Sequence, residues 1–557
     1  MTEAARTPTQ IDTIADAWVD TLAENLPTLA TYIGRSEFND RFEDFSPEGR
    51  DRLIDEARST LSALEAATPV DDVDVVTQED LSRELRLELD LHEAQWHLRD
   101  LNVIASPAQE IRSVFDLMPT DTAEDWSVIS TRLKAVSGAV DGYIATLRAG
   151  ADKGLLPADR QVREVITQIA RYTSDGGFFA TFAGDAAPEE GQLPASLARD
   201  LADNANAARV AYDELAQFLG AELAPLAGDK DAVGRELYAL QSRRFLGATI
   251  DLDETYEWGV EELARMVAEQ ESIADQIRPG ASVEEAIAFL EEDPSRKLHG
   301  TDALQRWMQE TSDRAVEELG RSHFDIPEPI RRLQCMIAPT KEGGIYYTGP
   351  TDDFSRPGRM WWSVPEGVTE FDTWRELTTV YHEGVPGHHL QIGQAVYNRR
   401  ELNSWRRLLA GTSGHAEGWA LYAERLMEQL GYLDDPADRL GMLDGQRMRA
   451  ARVVLDIGVH LEKPRPDGQG TWDADYALEF MRRNVNMSDE FVQFEVNRYL
   501  GWPGQAPAYK VGQRIWEQVR DDVKAAEGEG FDIKRFHKRA LDMGGVGLDT
   551  LRTALTR

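Results

Sequence analysis

The segment Tyr381-His-Glu-Gly-Val-Pro-Gly-His-His-Leu390 decides how this chain reads. A His-Glu pair followed by further histidines marks a zinc-hydrolase helix. In the usual form two histidines four residues apart bind the metal from one helix face, and the glutamate is the general base. Here the fourth residue after His382 is Pro386, which offers no ligand atom, and the next imidazoles are His388 and His389. On an ideal helix His388 would lie about 120° around from His382, and His389 would share its face but stand about 10.5 Å further along. Neither suits an ion that both imidazoles must approach to about 2.0–2.1 Å. Pro386 lifts the constraint, because it has no N–H for the His382 carbonyl and its ring clashes with that carbonyl. Gly387 permits backbone angles closed to other residues. A bulge over Gly384–Gly387 that absorbs two residues brings His388 to the place of the second ligand, with His389 as the alternative.

A catalytic zinc takes three protein ligands and keeps its fourth position open. Glu417, 29 residues after His388, supplies the third. It begins Glu417-Gly-Trp-Ala-Leu-Tyr-Ala-Glu424, which reads as a helix with apolar Trp419, Tyr422, Ala423 and Leu426. A carboxylate near such a stripe needs a cation. His415 reads as a neighbour of the site rather than a ligand. Glu383 sits beside a ligand on the adjacent face, placed to take the proton of the attacking water and pass it to a leaving amine. The developing oxyanion needs a donor besides the metal. Arg498, Tyr499 and Tyr509, around the break at Pro503-Gly504, are the candidates. Ligand histidines also need acceptors that fix their tautomer. Arg452, Asp456 and His460 form a polar row on an apolar helix, with Asp456 suited to orient a ligand histidine and His460 to face the substrate. Five of the ten histidines fall within 79 residues, where even scatter would put one or two, so the clustering favours a site.

The 557 residues suffice for a large core or two lobes. A net charge of −39 argues against nucleic acid or an anionic membrane as partner. The single cysteine, Cys335, excludes intramolecular disulfides and cysteine-based metal sites. No signal-peptide pattern and no run of about 18 apolar residues occurs, so a cytoplasmic protein is the expectation. Helical periodicity dominates. It predicts helices at 10–34, 47–66, 78–104, 123–150, 159–173, 192–220, 231–248, 252–277, 283–291 and 299–320. Two strands are expected at 343–350 and 359–364, paired across the loop 351–358 beside the helix that carries His382. The strand Gly343–Thr348 is a candidate edge for an extended peptide to pair with.

The segments His382-Glu-Gly-Val-Pro-Gly-His-His-Leu-Gln391, Glu417–Glu424, Arg452–His460 and Arg498–Ala506 resemble the bacterial domain-of-unknown-function 885 family, over most of the chain. That family is in turn similar to the carboxypeptidase Taq zinc metallopeptidases. The resemblance implies a mostly helical, two-lobed body with a deep, narrow cleft. It also implies zinc ligands at His382, His388 and Glu417, and a base at Glu383. Taq-type peptidases place an aspartate four residues after the ligand glutamate, where this chain has Leu421, so the orienting acceptor must come from Asp456 or Glu424.

The sequence therefore reads as a mainly α chain with a small β element at 343–364. A helical N-terminal lobe at 1–230 and a catalytic lobe at 231–557 are expected, one continuous domain being the alternative. The expected activity is zinc-dependent cleavage of short peptides. A metal-dependent amidase on a non-peptide substrate and an inactive peptide-binding scaffold are the alternatives. Manganese or cobalt could occupy the same ligands.

Overall fold

Capping side chains start the N-terminal helices where local chemistry calls for them. Thr9, Ser46, Asp71 and Thr122 each accept a backbone N–H from the first turn of Gln10–Asn25, Pro47–Ala66, Asp72–Glu93 and Ala123–Asp152. The computed structural model describes residues 6–189, 191–338 and 344–557, and it is mainly helical. The expected helix at 10–34 is two, Gln10–Asn25 and Pro27–Tyr32, because Pro27 has no N–H and pushes Leu26 out of helical geometry. The helix expected from 78 begins at Asp72, under its Asp71 cap, and ends at Glu93 before the left-handed Gln95. No helix among the described residues is long and apolar enough to cross a membrane.

Apolar side chains between Leu101 and Leu223 form one core, and a larger one runs from Tyr238 to Leu555 and takes in Val76. A third core joins the first helices to the buried Trp405. Through the largest core runs Pro436–His460, a helix buried along most of its length. It packs against Leu252–Ile277 on one side and Thr373–Glu383 on another. This places Gln446, near its middle, within reach of the residues around the His-Glu segment.

Ile345–Thr348 pairs antiparallel with Gly358–Trp362, Tyr347 opposite Met360, which is the hairpin the sequence predicts. Gly343, the start of the expected substrate edge, lies outside the described residues. Leu333–Ile337 joins the other side of Gly358–Trp362 in parallel. This strand carries no alternation clear enough to read from its five residues. Lys297–His299 pairs with Glu370–Asp372 just ahead of the His382 helix.

Candidate metal centre

The helix Thr373–Glu383 stops one residue after His382, and a second helix, His388–Tyr397, starts at His388. The expected bulge in one continuous helix is thus a four-residue turn between two helices, with a cis Val385–Pro386 bond. The Gly387 N–H donates to the Tyr381 carbonyl at 3.0 Å. That folds Gly387 tightly over the preceding turn, and a Cβ there would lie 1.8 Å from the His382 carbonyl oxygen. Trp419 Nε1 donates to the Pro386 carbonyl at 2.9 Å and so ties the turn to Ser413–Gln429, the helix that carries Glu417. This helix crosses Ala508–Glu527 closely, since a Cβ on Gly418 would meet Gly512 C at 2.5 Å. The crossing brings Tyr509 and Lys510 to the site.

The two imidazoles stand at 89°, centroids 4.9 Å apart. Each turns Nε2 toward the same oxygen, Glu417 Oε2, from 3.4 Å for His382 and 3.7 Å for His388. Two ligands of a tetrahedral zinc, each about 2.0–2.1 Å from it, are themselves about 3.4 Å apart. Glu417 Oε2 is buried and has no hydrogen-bond partner among the described residues. Glu383 joins the group, with one ligand atom each of His382, Glu383 and His388 within 4.8 Å of the others. Two imidazole nitrogens and a carboxylate oxygen suit zinc. Burial pushes the Glu417 carboxyl up, but His382 and His388 outweigh it and hold it well below the usual range. Burial likewise works against a charge on His382, yet Glu417 and Glu424 hold its pKa up to about 10. Two carboxylates around one imidazole demand positive charge, which a divalent cation would meet. Burial raises the Glu383 carboxyl against the opposing pull of His388 and His382.

A buried chain of hydrogen bonds fixes His382. Its Nδ1 donates to Glu424 Oε1 at 2.8 Å, which leaves Nε2 with a lone pair for a metal. Glu424 Oε2 accepts from Gln446 Nε2 at 3.0 Å. Gln446 Oε1 in turn accepts from Lys510 Nζ at 2.7 Å, so the ammonium sets which way the amide points. Lys510 is anchored by Glu262 Oε1 at 3.0 Å.

The other candidates separate sharply. His389 is not an alternative ligand: its Nε2 donates to the Ile330 carbonyl at 2.6 Å and its Nδ1 meets the Tyr347 hydroxyl at 2.9 Å. Both nitrogens are committed, one to the turn Glu328–Arg331 and the other to the strand Ile345–Thr348. Asp456 orients no ligand histidine, because it accepts from the Tyr238 hydroxyl at 2.7 Å and the Gly504 N–H at 2.9 Å. His460 does not face substrate: it is fully buried, with Nε2 on the Tyr499 carbonyl at 3.0 Å. Tyr499 is no free donor, since its hydroxyl donates to Glu495 and accepts from Arg452 Nε at 2.6 Å. His415 is buried beside Trp516 and faces Gln391. Tyr509 makes no hydrogen bond to a described residue, and its pKa is raised first by the Glu417 charge and then by burial. Arg498 makes no hydrogen bond either, with Glu495 Oε1 3.4 Å from its Nε.

The family model for a bacterial protein of unknown function, DUF885, matches residues 27–555. The chain belongs to the DUF885 family. No curated protein is significantly similar to it. Two solved structures are similar to this DUF885 chain in fold. One is a candidate lipoprotein from Colwellia psychrerythraea, 22% identical, with a TM-score of 0.84 and 98% of each chain covered. The other is a candidate lipoprotein of unknown function from Shewanella oneidensis, 17% identical, with a TM-score of 0.77, covering 99% of this chain and 100% of that one. These descriptions contrast with the cytoplasmic placement expected from the sequence, and at such identities the likeness speaks to the fold alone.

Sequence reasoning on this DUF885 chain missed Gln446, Arg449 and Lys510. The signal for the first two was present. The row Arg452, Asp456, His460 continues backward at helical spacing to Arg449 and Gln446 on the same helix. Lys510 carried no signal, since only a tertiary crossing brings it to Gln446.

Proposed function

We propose that this chain is a zinc-dependent hydrolase, a metallopeptidase that cleaves short peptides. One observation carries the reading: two imidazoles turn Nε2 toward one buried, unpartnered carboxylate oxygen at close to the spacing of a tetrahedral ligand set, with Glu383 beside them. His382, His388 and Glu417 would hold the ion. When bound, zinc supplies a Lewis acid that acidifies water and polarises a carbonyl. Glu383 makes no hydrogen bond to a described residue, so its carboxylate is available to take a proton from the attacking water and deliver it to the leaving amine. The Tyr509 hydroxyl, equally unengaged, is the donor for the oxyanion. Ile345–Thr348 is an outer strand of its sheet, and its main chain offers an extended peptide a row of partners. The resemblance to carboxypeptidase Taq peptidases supports the same order of ligands and base along the chain.

The test is Glu383→Gln in the full chain, assayed on a library of short peptides alongside metal analysis. The expected result is at least a ~100-fold loss of cleavage with zinc content unchanged. Full activity in this variant contradicts the assignment of the base.

A further inference from the structure

The chain carries 39 more acidic than basic side chains, yet near the metal centre Arg449 pairs with no carboxylate among the described residues and Arg498 shares its carboxylate with another arginine. Arg449 makes no hydrogen bond and forms no ion pair among the described residues, and its Nε is buried without a partner. It follows Gln446, the residue that holds Glu424, by one helical turn. Its charge acts on Glu383, Glu424 and Tyr509. Arg498 comes from Asp489–Gly501 and lies over the Tyr499 ring, 5.2 Å from its centroid. Its Nε and Nη2 are buried without hydrogen bonds among the described residues. Glu495 Oε2 is bound by Arg452 Nη2 at 2.7 Å and by the Tyr499 hydroxyl, and its Oε1 lies 3.4 Å from Arg498 Nε, an ion pair without a hydrogen bond. Arg452 itself stacks 5.1 Å from the Tyr509 centroid. Arg452 and Arg498 therefore share the Glu495 carboxylate beside Tyr499. Charges held away from water are costly unless paired, and a guanidinium fork matches a carboxylate in shape.

The helix that carries Arg498 adds a second feature. Phe491 lies seven residues before Arg498, about 20° away around the helix, and Phe494 lies one turn before it. Both phenyl rings are exposed, at 40% and 42%. An apolar strip thus leads to Arg498.

We propose that Arg449 and Arg498 receive a carboxylate of the substrate, so that the peptides cleaved are those with a free carboxylate near the scissile bond and apolar groups beside it. This rests on the hydrolase reading for its chemistry, though not for its binding. The carboxylate comes either from a peptide C-terminus or from an aspartate or glutamate side chain. Its place is beside Tyr509 and Tyr499, over whose rings Arg452 and Arg498 lie.

The test uses the full chain carrying Glu383→Gln and loaded with zinc, so that peptides bind without turnover. Calorimetric titration compares a leucine-containing tripeptide as the free acid, the same peptide as its C-terminal amide, and an amide with one glutamate side chain. At least one carboxylate peptide is expected to bind about tenfold or more tightly than the neutral amide. Arg449→Gln and Arg498→Gln each erase that advantage while zinc content stays constant. An advantage for the free acid assigns the terminal carboxylate, and one for the glutamate amide assigns the side chain. Equal binding of all three peptides overturns the proposal, as does an advantage that survives both substitutions. Arg449 has no partner to lose among the described residues, so its variant keeps the test decisive even where Arg498→Gln fails to fold. Selective binding with no cleavage by the wild-type chain sinks the hydrolase reading and leaves the carboxylate site standing. Cleavage that is indifferent to carboxylates does the reverse.

Discussion

Glu424 Oε1 accepts the Nδ1 proton of His382 at 2.8 Å. The bond holds the imidazole in the tautomer that leaves Nε2 free to bind a metal, and Gln446 and Lys510 hold the carboxylate in turn. Removing such an orienting acceptor weakens metal binding about 10–100-fold. Glu424→Ala is therefore expected to lower zinc affinity by that factor in a chelator competition assay, with Lys510→Met causing a smaller loss of the same sign. Unchanged affinity in Glu424→Ala would show that His382 is oriented by something else.

Gly387→Ala should break the turn that sets His388 against His382. The added Cβ would lie 1.8 Å from the His382 carbonyl oxygen, a backbone atom that cannot swing away. A loss of about 3 kcal/mol or more is expected, together with weakened zinc binding. Thermal unfolding with and without zinc measures both.

Tyr509→Phe removes one hydroxyl that bonds to no described residue. Fold and zinc content should stay intact while kcat falls about 100-fold, the scale of one lost oxyanion donor. KM and kcat measured separately on one cleaved peptide decide the matter, since a structural role would leave kcat nearly unchanged.

Acid stability offers a check away from the metal. His537 is fully buried, with its ring stacked 4.4 Å from Phe324, Nε2 at 2.9 Å from the Tyr422 hydroxyl and Nδ1 at 3.1 Å from the His323 carbonyl. Burial pushes its pKa down to about 3, although the carbonyl bond opposes this. In the unfolded chain the ring takes a proton near about pH 6.5. Between these values the unfolded chain binds more protons, so this stabilisation is complete above pH ~6.5 and is lost as pH falls toward 3. From pH 7 to 5 the loss is about 2 kcal/mol. Urea unfolding of wild type and His537→Gln should show the gap between them narrowing by that amount over the same interval.

The helices Leu252–Ile277 and Val283–Glu291 were legible to the residue, because their apolar spacing and their Asp251 and Ser282 caps agree. The hairpin was legible from its aromatic runs. The His-Glu segment with Glu417 was legible because chemistry fixes the residue types, and the proline forced the question of a break. The form of the break was not, since it depends on Trp419 gripping the Pro386 carbonyl from another helix. Asp456 and His460 misled for a related reason. Their spacing marks a polar face, but the partners that fill it, Tyr238 and the Gly504 and Tyr499 backbones, come from two distant segments. His389 could be separated from His388 only by seeing both of its nitrogens occupied.

The central claim is that His382, His388 and Glu417 hold one ion. It is tested most directly by the zinc content of the purified wild-type chain and of His382→Ala, His388→Ala, His389→Ala and Glu417→Ala. The account predicts one zinc per wild-type chain, kept in His389→Ala and lost in the other three. A wild-type chain that takes up no zinc, or a loss in His389→Ala alone, would contradict it.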